Sequence, residues 1–569
     1  MTTFAADLYL LVAAYGLAVA VSYAGLPVLG QGAFVAIGAF GTVQITAHGV
    51  PLGVAVVAAV ALATVAGYLV GFAATRLAGA PLALATWGLA WLAYSALVLF
   101  PALGGGAEGL TRDAPAHLVS PALGLRLTLT PGVHVGIALV IDVLAAIALA
   151  RTARGAWGLD LAALRTGPVL ADSIGVPVQR RRRAVLATSA ALGALGGAGT
   201  AVLLGVVAAP DYSPLLSLQL FVAVLVGGVA TWWGPPIGVA ILAFLPDTAD
   251  ALARAINVDA LRARSVLTAV LLVAVLVVRQ PLHRLLTRSS TGRTRAAAVA
   301  ASVESDRGPD GATVLELRKV VASYGALRVL DGVDIEVRSG EIHALVGPNG
   351  SGKSTVLRIA TGVVRPVDGE VRIDGLPAPA ARAAAPRVKA GVARTLQHTV
   401  MLGELEAGTQ VEVASRAKDR MPHGGVRELL ATPRGRAGRT DRRARAVAAL
   451  HAVGMDDRAD AMTSRLDSAE QRLLQIARAA ATGARALLLD EPAAGMSADQ
   501  RDRLGRILRH LADRGFAVML VEHDMRLVGR VADRVTVLAE GRVLATGTPD
   551  YVRSQPAVAL AYLGSSAAT

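Results

Sequence analysis

Residues 347–355, GPNGSGKST (Gly347 to Thr355), fit the pattern G-x-x-x-x-G-K-[ST]. They follow an apolar, strand-like run, Ile342 to Val346, and a helix-like run begins at Ser354, which is the setting such a loop requires. Gly350 and Gly352 let the backbone wrap so that successive N–H groups, with the positive end of the following helix, face phosphate oxygens. Lys353 would reach β- and γ-phosphates and Ser354 would offer a hydroxyl to Mg²⁺, while Asn349, Ser351 and Thr355 complete the candidate cradle. Only four lysines occur, Lys319, Lys353, Lys389 and Lys418, against 52 arginines, so a lysine retained here points to a need for a compact point charge.

Further along, Ala486 to Glu491 (ALLLDE) reads as a buried strand ending in two acids. Asp490 can hold Mg²⁺ through its shell and Glu491 can orient and activate water. A second strand-like run, Ala517 to Val521, ends in Glu522, His523 and Asp524, which puts His523 near a γ-phosphate. With the alternating runs VLELRKVVASYG and VDIEVRSGEIHALVG, and helical patterns after them, these features predict an α/β ATP-binding domain with an inserted helical part.

The other half of the chain is of a different kind. From Leu8 to Ala107 the one formally charged residue is Arg76, a pattern that bilayer-crossing helices demand and a soluble domain does not tolerate. Apolar runs predict nine spans, at 8–25, 28–47, 50–75, 79–100, 132–150, 184–206, a broken pair at 216–230 and 234–246, and 265–279. Arg76, the group from Arg151 to Arg183 and the group from Arg279 to Arg295 are then cytoplasmic, with the N-terminus outside. Asp7, just ahead of the first apolar run, argues against a cleaved signal peptide. The centre of the broken pair, GGVATWWGPP (Gly227 to Pro236), is either unwound backbone beside a cavity or an interfacial turn anchored by Trp232 and Trp233. Asp142, inside a span, is either a pathway residue or paired with a neighbouring polar group, and pairing is the favoured expectation.

Residues 287–311 read as a polar, small-residue linker, which separates a membrane domain, 1–286, from an ATP-binding domain, 312–569. The absence of cysteine excludes disulfides, thiolate catalysis and iron–sulfur clusters. A net charge of +14 is accounted for by arginine enrichment on a cytoplasmic membrane face and calls for no nucleic acid partner.

Residues 313–564 resemble the ATP-binding subunit of ABC transporters, of the branched-chain amino acid importer or LivG-like type, through GPNGSGKST, VARTLQ, QIARA, LLLDEPAAGM, VEHDM and AYLG. Residues 1–285 resemble the matching LivM-like permease through LGQGAFVAIGAF, GGGAEGL and LVGGVATWWGPPIGVA. The resemblance implies that Tyr324 stacks on adenine, that Gln397 senses the γ-phosphate, shares the Mg²⁺ site with Ser354 and Asp490, and senses the permease, and that His523 is the switch histidine. Gly155 to Arg183 resembles the cytoplasmic loop that inserts a coupling helix into the ATPase, its arginines being also candidates for anionic lipid headgroups. The tract Arg434 to Arg445 is read as a solvated helical face.

One stretch departs from the family. Where relatives carry LSGGQ or LSYGQQR, this chain has Leu466, Asp467, Ser468, Ala469, Glu470, Gln471 and Arg472. In the family the signature serine and glycine cap the γ-phosphate held by the opposite ATPase, so Asp467 brings a negative charge there and Ala469 a methyl group. Asp467 and Glu470 also form a D-x-x-E pattern that caps a helix. The resemblance implies ATP-driven import of a branched-chain or related amino acid across a bacterial plasma membrane. It further implies an extracytoplasmic binding protein, a second permease and a second ATPase with an intact signature. A urea or amide importer, an exporter half-transporter and a nucleotide-binding membrane regulator with poor turnover remain open.

Overall fold

The computed structural model describes residues 1–74, 77, 79–106, 109–111, 117–120, 125–228, 231–256, 311–380, 383–396, 401, 405–418 and 433–563. The span expected at 265–279, nearly all of the linker 287–311, Arg76, the group Arg279 to Arg295 and Gln397 lie outside them. By contacts the described residues form two compact units. One takes its members from Met1–Arg165 and Gln179–Arg293, the other from Thr166–Val178 and Thr294–Thr569.

In the first unit, α1 (Thr2–Ala18) runs on as a π-helical turn, Val19–Tyr23. It is followed by α2 (Gln31–Ala47), α3 (Leu52–Ala74), α4 (Ala80–Leu99) and the short α5 (Pro101–Gly104). Then come α6 (Pro131–Arg154), α7 (Ala156–Thr166), α9 (Val178–Leu204), α10 (Pro214–Gly227) and α11 (Gly234–Ile256), α8 (Pro168–Ser173) belonging to the second unit. Among the described residues five helices are long and apolar enough to cross a membrane, and three shorter apolar helices accompany them. Val57, Leu62 and Leu69 of α3 and Leu84, Trp91 and Leu92 of α4 are exposed, as apolar side chains facing lipid would be.

Small residues bring these helices to backbone contact. A Cβ on Gly38 of α2 would lie 2.0 Å from the Ala194 carbonyl oxygen of α9, and one on Gly197 of α9 would lie 2.0 Å from that of Val35. Without a hydrophobic drive between helices in lipid, such close approach supplies the packing energy. The glutamine of LGQGAF explains that motif. Gln31 is fully buried, donates to the carbonyls of Ala13 (3.1 Å) and Ser189 (3.0 Å), and accepts from the Ser189 hydroxyl (2.9 Å), which ties α1, α2 and α9 together. Helices α10 and α11 meet equally closely, a Cβ on Gly238 falling 1.8 Å from the Ala223 carbonyl oxygen. The second of them continues to Ile256, beyond the apolar stretch that ends its predicted span. Two short pairings escaped the periodicity argument: β1 (Leu110–Thr111) with β4 (Val206–Val207), and the hairpin β2 (His117–Ser120) with β3 (Leu125–Thr128). Segments of two to four residues are too short to show a period.

Asp142 corrects an expectation. It is 5% exposed, yet neither carboxylate oxygen has a hydrogen-bond partner among the described residues. It shares a buried stripe of α6 with His134 and Ala138, and the hydroxyl of Tyr9, on α1, bonds His134 Nδ1 at 2.9 Å. The Tyr9–His134 hydrogen bond lies about two turns from the carboxylate.

The second unit contains two sheets. A parallel core orders β10 (Val392–Arg394), β11 (Ala486–Asp490), β12 (Ala517–Val521), β7 (Ile342–Val346) and β13 (Arg534–Ala539), and β14 (Arg542–Gly547) adds antiparallel at the edge. The antiparallel sheet orders β6 (Leu327–Arg338), β5 (Thr313–Tyr324), β8 (Asp368–Ile373) and β9 (Leu376–Pro377). Strands β7, β11 and β12 are buried along their whole length, which is why their sequences are continuous apolar runs. One core packs Leu315 and Leu317 with Leu345, Leu357, Leu488 and Met519. Helices α12 (Lys353–Ala360), α13 (Ala385–Ala390), α14 (Ala407–Ser415), α15 (Pro433–Ala452) and α16 (Ser468–Ala481) complete the parts used below. The arginine tract on α15 is not uniformly solvated: Arg442 is buried and its carbonyl accepts from the Ser415 hydroxyl at 3.2 Å.

Candidate nucleotide site

The loop GPNGSGKST joins β7 to α12. Gly347 (φ 152°) and Gly352 (φ 106°) hold backbone conformations closed to other residues, and a Cβ on Gly347 would lie 2.0 Å from the Leu538 carbonyl oxygen. Gly352 caps α12 without any side-chain bond, so the first N–H groups of that helix are not taken by a cap. The buried Lys353 donates to the carbonyls of Gly347 (2.8 Å) and Pro348 (2.9 Å). Burial lowers its ammonium below the usual value, an effect the Glu491 and Asp490 carboxylates oppose. Ser354 is exposed at the first turn and the Ser351 hydroxyl is buried without a hydrogen-bond partner among the described residues.

The acids close the strand beside it but one. Asp490, 1% exposed, pairs through Oδ2 with Arg394 Nη2 at 2.8 Å, while its Oδ1 is buried with no hydrogen-bond partner among the described residues. A buried carboxylate oxygen left open in this way fits a divalent cation's shell. Glu491 sits at φ 48°, a conformation that costs a non-glycine residue on the order of 1–3 kcal/mol and gathers at functional sites. Its Oε1 lies 3.1 Å from Nε2 of His523, and its carbonyl accepts from Arg472 Nη1 at 3.3 Å. Parallel pairing of β11 with β12 brings these two strand ends together, Asp490 lying opposite Val521. A cleft of about 330 Å³ opens over Glu491, Gly495, Met496, His523 and Asp524.

Two partners in this cleft were not foreseen. Buried Glu522 accepts from the Ala493 amide (2.7 Å) and the His523 amide (3.2 Å), which ties the end of β12 to the turn after Glu491. Burial raises its carboxyl, against those amide bonds. Asp524 is ion-paired with Arg501 at 2.6 Å, which holds its carboxyl below the usual range. The sequence signal was present in VEHDM, but an acid at a strand end names no partner. Tyr324, exposed, ends β5 at a tight hairpin paired with Leu327.

At the signature position Asp467 is the N-cap of α16, and its side chain accepts from the Glu470 amide at 2.7 Å while Glu470 Oε2 accepts from the Asp467 amide at 3.0 Å. This is the capping box that the D-x-x-E spacing predicts. Glu470 is also paired with Arg458 at 2.8 Å. Ser468 and Ala469 form the first turn behind this closed cap.

Residues 166–178 pack within this unit. The Asp172 carboxylate accepts from the amides of Ala384 (2.6 Å) and Ala385 (3.3 Å) at the start of α13. Gly175 passes so close that a Cβ would sit 2.8 Å from the Ala417 side chain.

Both halves of the chain are similar to known proteins. Residues 2–276 match the family model described as "Branched-chain amino acid transport system / permease component", and residues 330–494 match "ABC transporter". The chain is 34% identical over 257 residues to the high-affinity branched-chain amino acid transport ATP-binding protein LivG of Salmonella typhimurium, covering 44% of this chain and 98% of that protein. BraF of Pseudomonas aeruginosa, of the same description, is also 34% identical over 257 residues, with the same coverage. A solved ATP-binding cassette of an ABC transporter in its ADP conformation aligns at 24% identity and a TM-score of 0.39, over 44% of this chain and 99% of that one. The chain is a membrane protein that joins a permease region to an ATP-binding cassette, and it belongs to the LivG family of ABC transporter ATP-binding proteins.

Proposed function

We propose that this chain is the fused permease and ATPase subunit of an ATP-driven importer of branched-chain amino acids. One observation carries the reading: a permease match over residues 2–276 and 34% identity to LivG occur in a single polypeptide. The domains divide at 1–286, 287–311 and 312–569, and the chain resides in a bacterial inner membrane with its ATPase cytoplasmic.

In this reading the residues from Asn349 to Thr355 cradle the phosphates, Tyr324 stacks on adenine and Gln397 senses the γ-phosphate. Lys353 exchanges its two loop carbonyls for phosphate oxygens, a trade favoured by charge. Glu491 orients water and His523, 3.1 Å away, steadies it. Asp490 through its open Oδ1, Ser354 and Gln397 would hold Mg²⁺, which neutralises charge on the transferring phosphoryl group. ABC sites form between two facing ATPases, and here the α16 terminus that would meet the partner's nucleotide is closed by Asp467. The partner ATPase therefore carries an intact signature, which completes the site of Lys353 and Glu491, and the reciprocal site turns over poorly. A second permease and an extracytoplasmic binding protein complete the transporter. Asp142, buried in mid-span and without a hydrogen-bond partner among the described residues, is the candidate pathway carboxylate.

The test is uptake of labelled leucine, isoleucine, valine and urea into proteoliposomes holding this chain with its partner subunits. Uptake of the three amino acids that needs ATP and the binding protein, and falls at least about 100-fold in Glu491→Gln, supports the reading. Uptake of urea alone replaces the substrate, and uptake indifferent to Glu491 moves hydrolysis to the partner.

A further inference from the structure

Arg394 occupies a place that nothing in the importer reading assigns. It is the last residue of β10, the edge strand beside β11, and its guanidinium holds Oδ2 of Asp490 at 2.8 Å. The backbone around it is anchored: the Thr395 amide donates to the Leu488 carbonyl (3.0 Å) and the Asp490 amide donates to the Thr395 hydroxyl (3.2 Å). The guanidinium is less constrained, since its Nε is buried with no hydrogen-bond partner among the described residues. On its other side Arg394 lines a small cavity whose remaining walls include Gln475 and Arg478 of α16 and Leu170, Ser173 and Ile174 of the segment 166–178. That segment is itself held by Asp172 on the amides of Ala384 and Ala385.

We infer that Arg394 is a positioning residue that links segment 166–178 to the metal side of Asp490. With its guanidinium on Oδ2, a full positive charge stands one carboxylate away from the oxygen left open for a divalent cation, and like charges oppose each other. Displacement of the segment moves a wall of the cavity that Arg394 lines and so loosens the guanidinium's hold on Asp490. The position of 166–178 thereby sets the affinity of the Asp490 side for a divalent metal. The inference rests on Asp490 as a metal-side carboxylate and is independent of which solute is carried.

The experiment is Mn²⁺ binding to the full chain in detergent, loaded with a non-hydrolysable ATP analogue, read from the free-ion paramagnetic signal. Arg394→Gln is expected to tighten Mn²⁺ binding about three- to tenfold, while Arg394→Lys, which keeps the charge, stays within about twofold of wild type. Asp172→Asn, remote from the metal, is expected to tighten binding about twofold and to add nothing once Arg394 is glutamine. An Asp172→Asn increment undiminished in the Arg394→Gln background, or no effect of either variant, overturns the link. Should Arg394→Gln leave Asp490 too poorly compensated to fold, the cycle of Asp172→Asn with Arg394→Lys is used. There the increment must shrink, and a full one overturns the proposal. A merely structural arginine would lower the melting temperature and leave Mn²⁺ affinity unmoved.

Discussion

Two helix N-termini in the ATPase unit meet the same physical problem in opposite ways. An α-helix starts with N–H groups that have no partner within it, and with the positive end of its dipole. At α12 the cap is Gly352, which has no side chain, so these donors are left for an incoming phosphate. At α16 the cap is Asp467, whose carboxylate takes the Glu470 amide while Glu470 takes the Asp467 amide. The open terminus is costly to hold and needs buried Lys353, glycine conformations and support from β13. The closed one stabilises itself and repels an anion. A helix end without a side-chain cap keeps its first donors available, and a single aspartate with its capping-box glutamate is enough to take them up.

The comparison breaks most readily at the open end. Gly347→Ala puts a methyl group 2.0 Å from the Leu538 carbonyl oxygen, at a φ of 152°. The expected loss is about 2–5 kcal/mol in chemical unfolding of the ATPase part, with nucleotide binding abolished in a calorimetric titration. Unchanged ATP affinity would show that the loop is not held where the structure puts it.

The strand behind the open end offers a pH test. His343 of β7 is buried, bonds the Glu336 carbonyl (2.8 Å) through Nδ1 and the Thr536 hydroxyl (2.8 Å) through Nε2, and so is held neutral. Burial, with Arg534 nearby, depresses it to about 4, the Glu336 contacts opposing. The native state then binds fewer protons than the unfolded one, so this contribution is complete above the unfolded value of about 6.5 and is lost as pH falls from there to about 4. Stability should fall by up to about 1.4 kcal/mol per pH unit in that window, and His343→Gln should flatten the slope. An equal slope in both proteins would assign the pH dependence elsewhere.

The smallest effect sharpens the contrast at the closed end. Asp467→Ala removes a cap and should cost about 1 kcal/mol, whereas Asp467→Ser keeps a capping oxygen and should be nearly neutral in thermal melts. Asp467→Ser also removes the negative charge, so hydrolysis at the reciprocal site of the assembled transporter should rise. A rate that does not move with this substitution would place the defect at Ala469 or beyond.

Local pattern was enough where one short stretch carries all the information. The loop 347–355, the acidic strand end at Asp490 and Glu491, and the D-x-x-E cap could be read directly, because spacing along the chain sets their geometry. The apolar helices among the described residues could be placed for the same reason, apolar length being a property of sequence alone. The bonding of the interior could not. Gln31 reaches Ser189 across 158 residues, Arg394 reaches Asp490 across 96, and Asp142 was expected to find a partner and has none among the described residues.

What the sequence by itself determined is therefore the set of groups on offer: a glycine-rich loop with its lysine, two acids at a strand end and a membrane region poor in charge. Tertiary structure alone decided which of these groups is held, by whom, and which is left open. Parallel pairing of β11 and β12 sets Glu491 against His523, and β10 hands Arg394 to Asp490. The reason is that a hydrogen bond or ion pair is made over about 3 Å in space, whatever the separation along the chain.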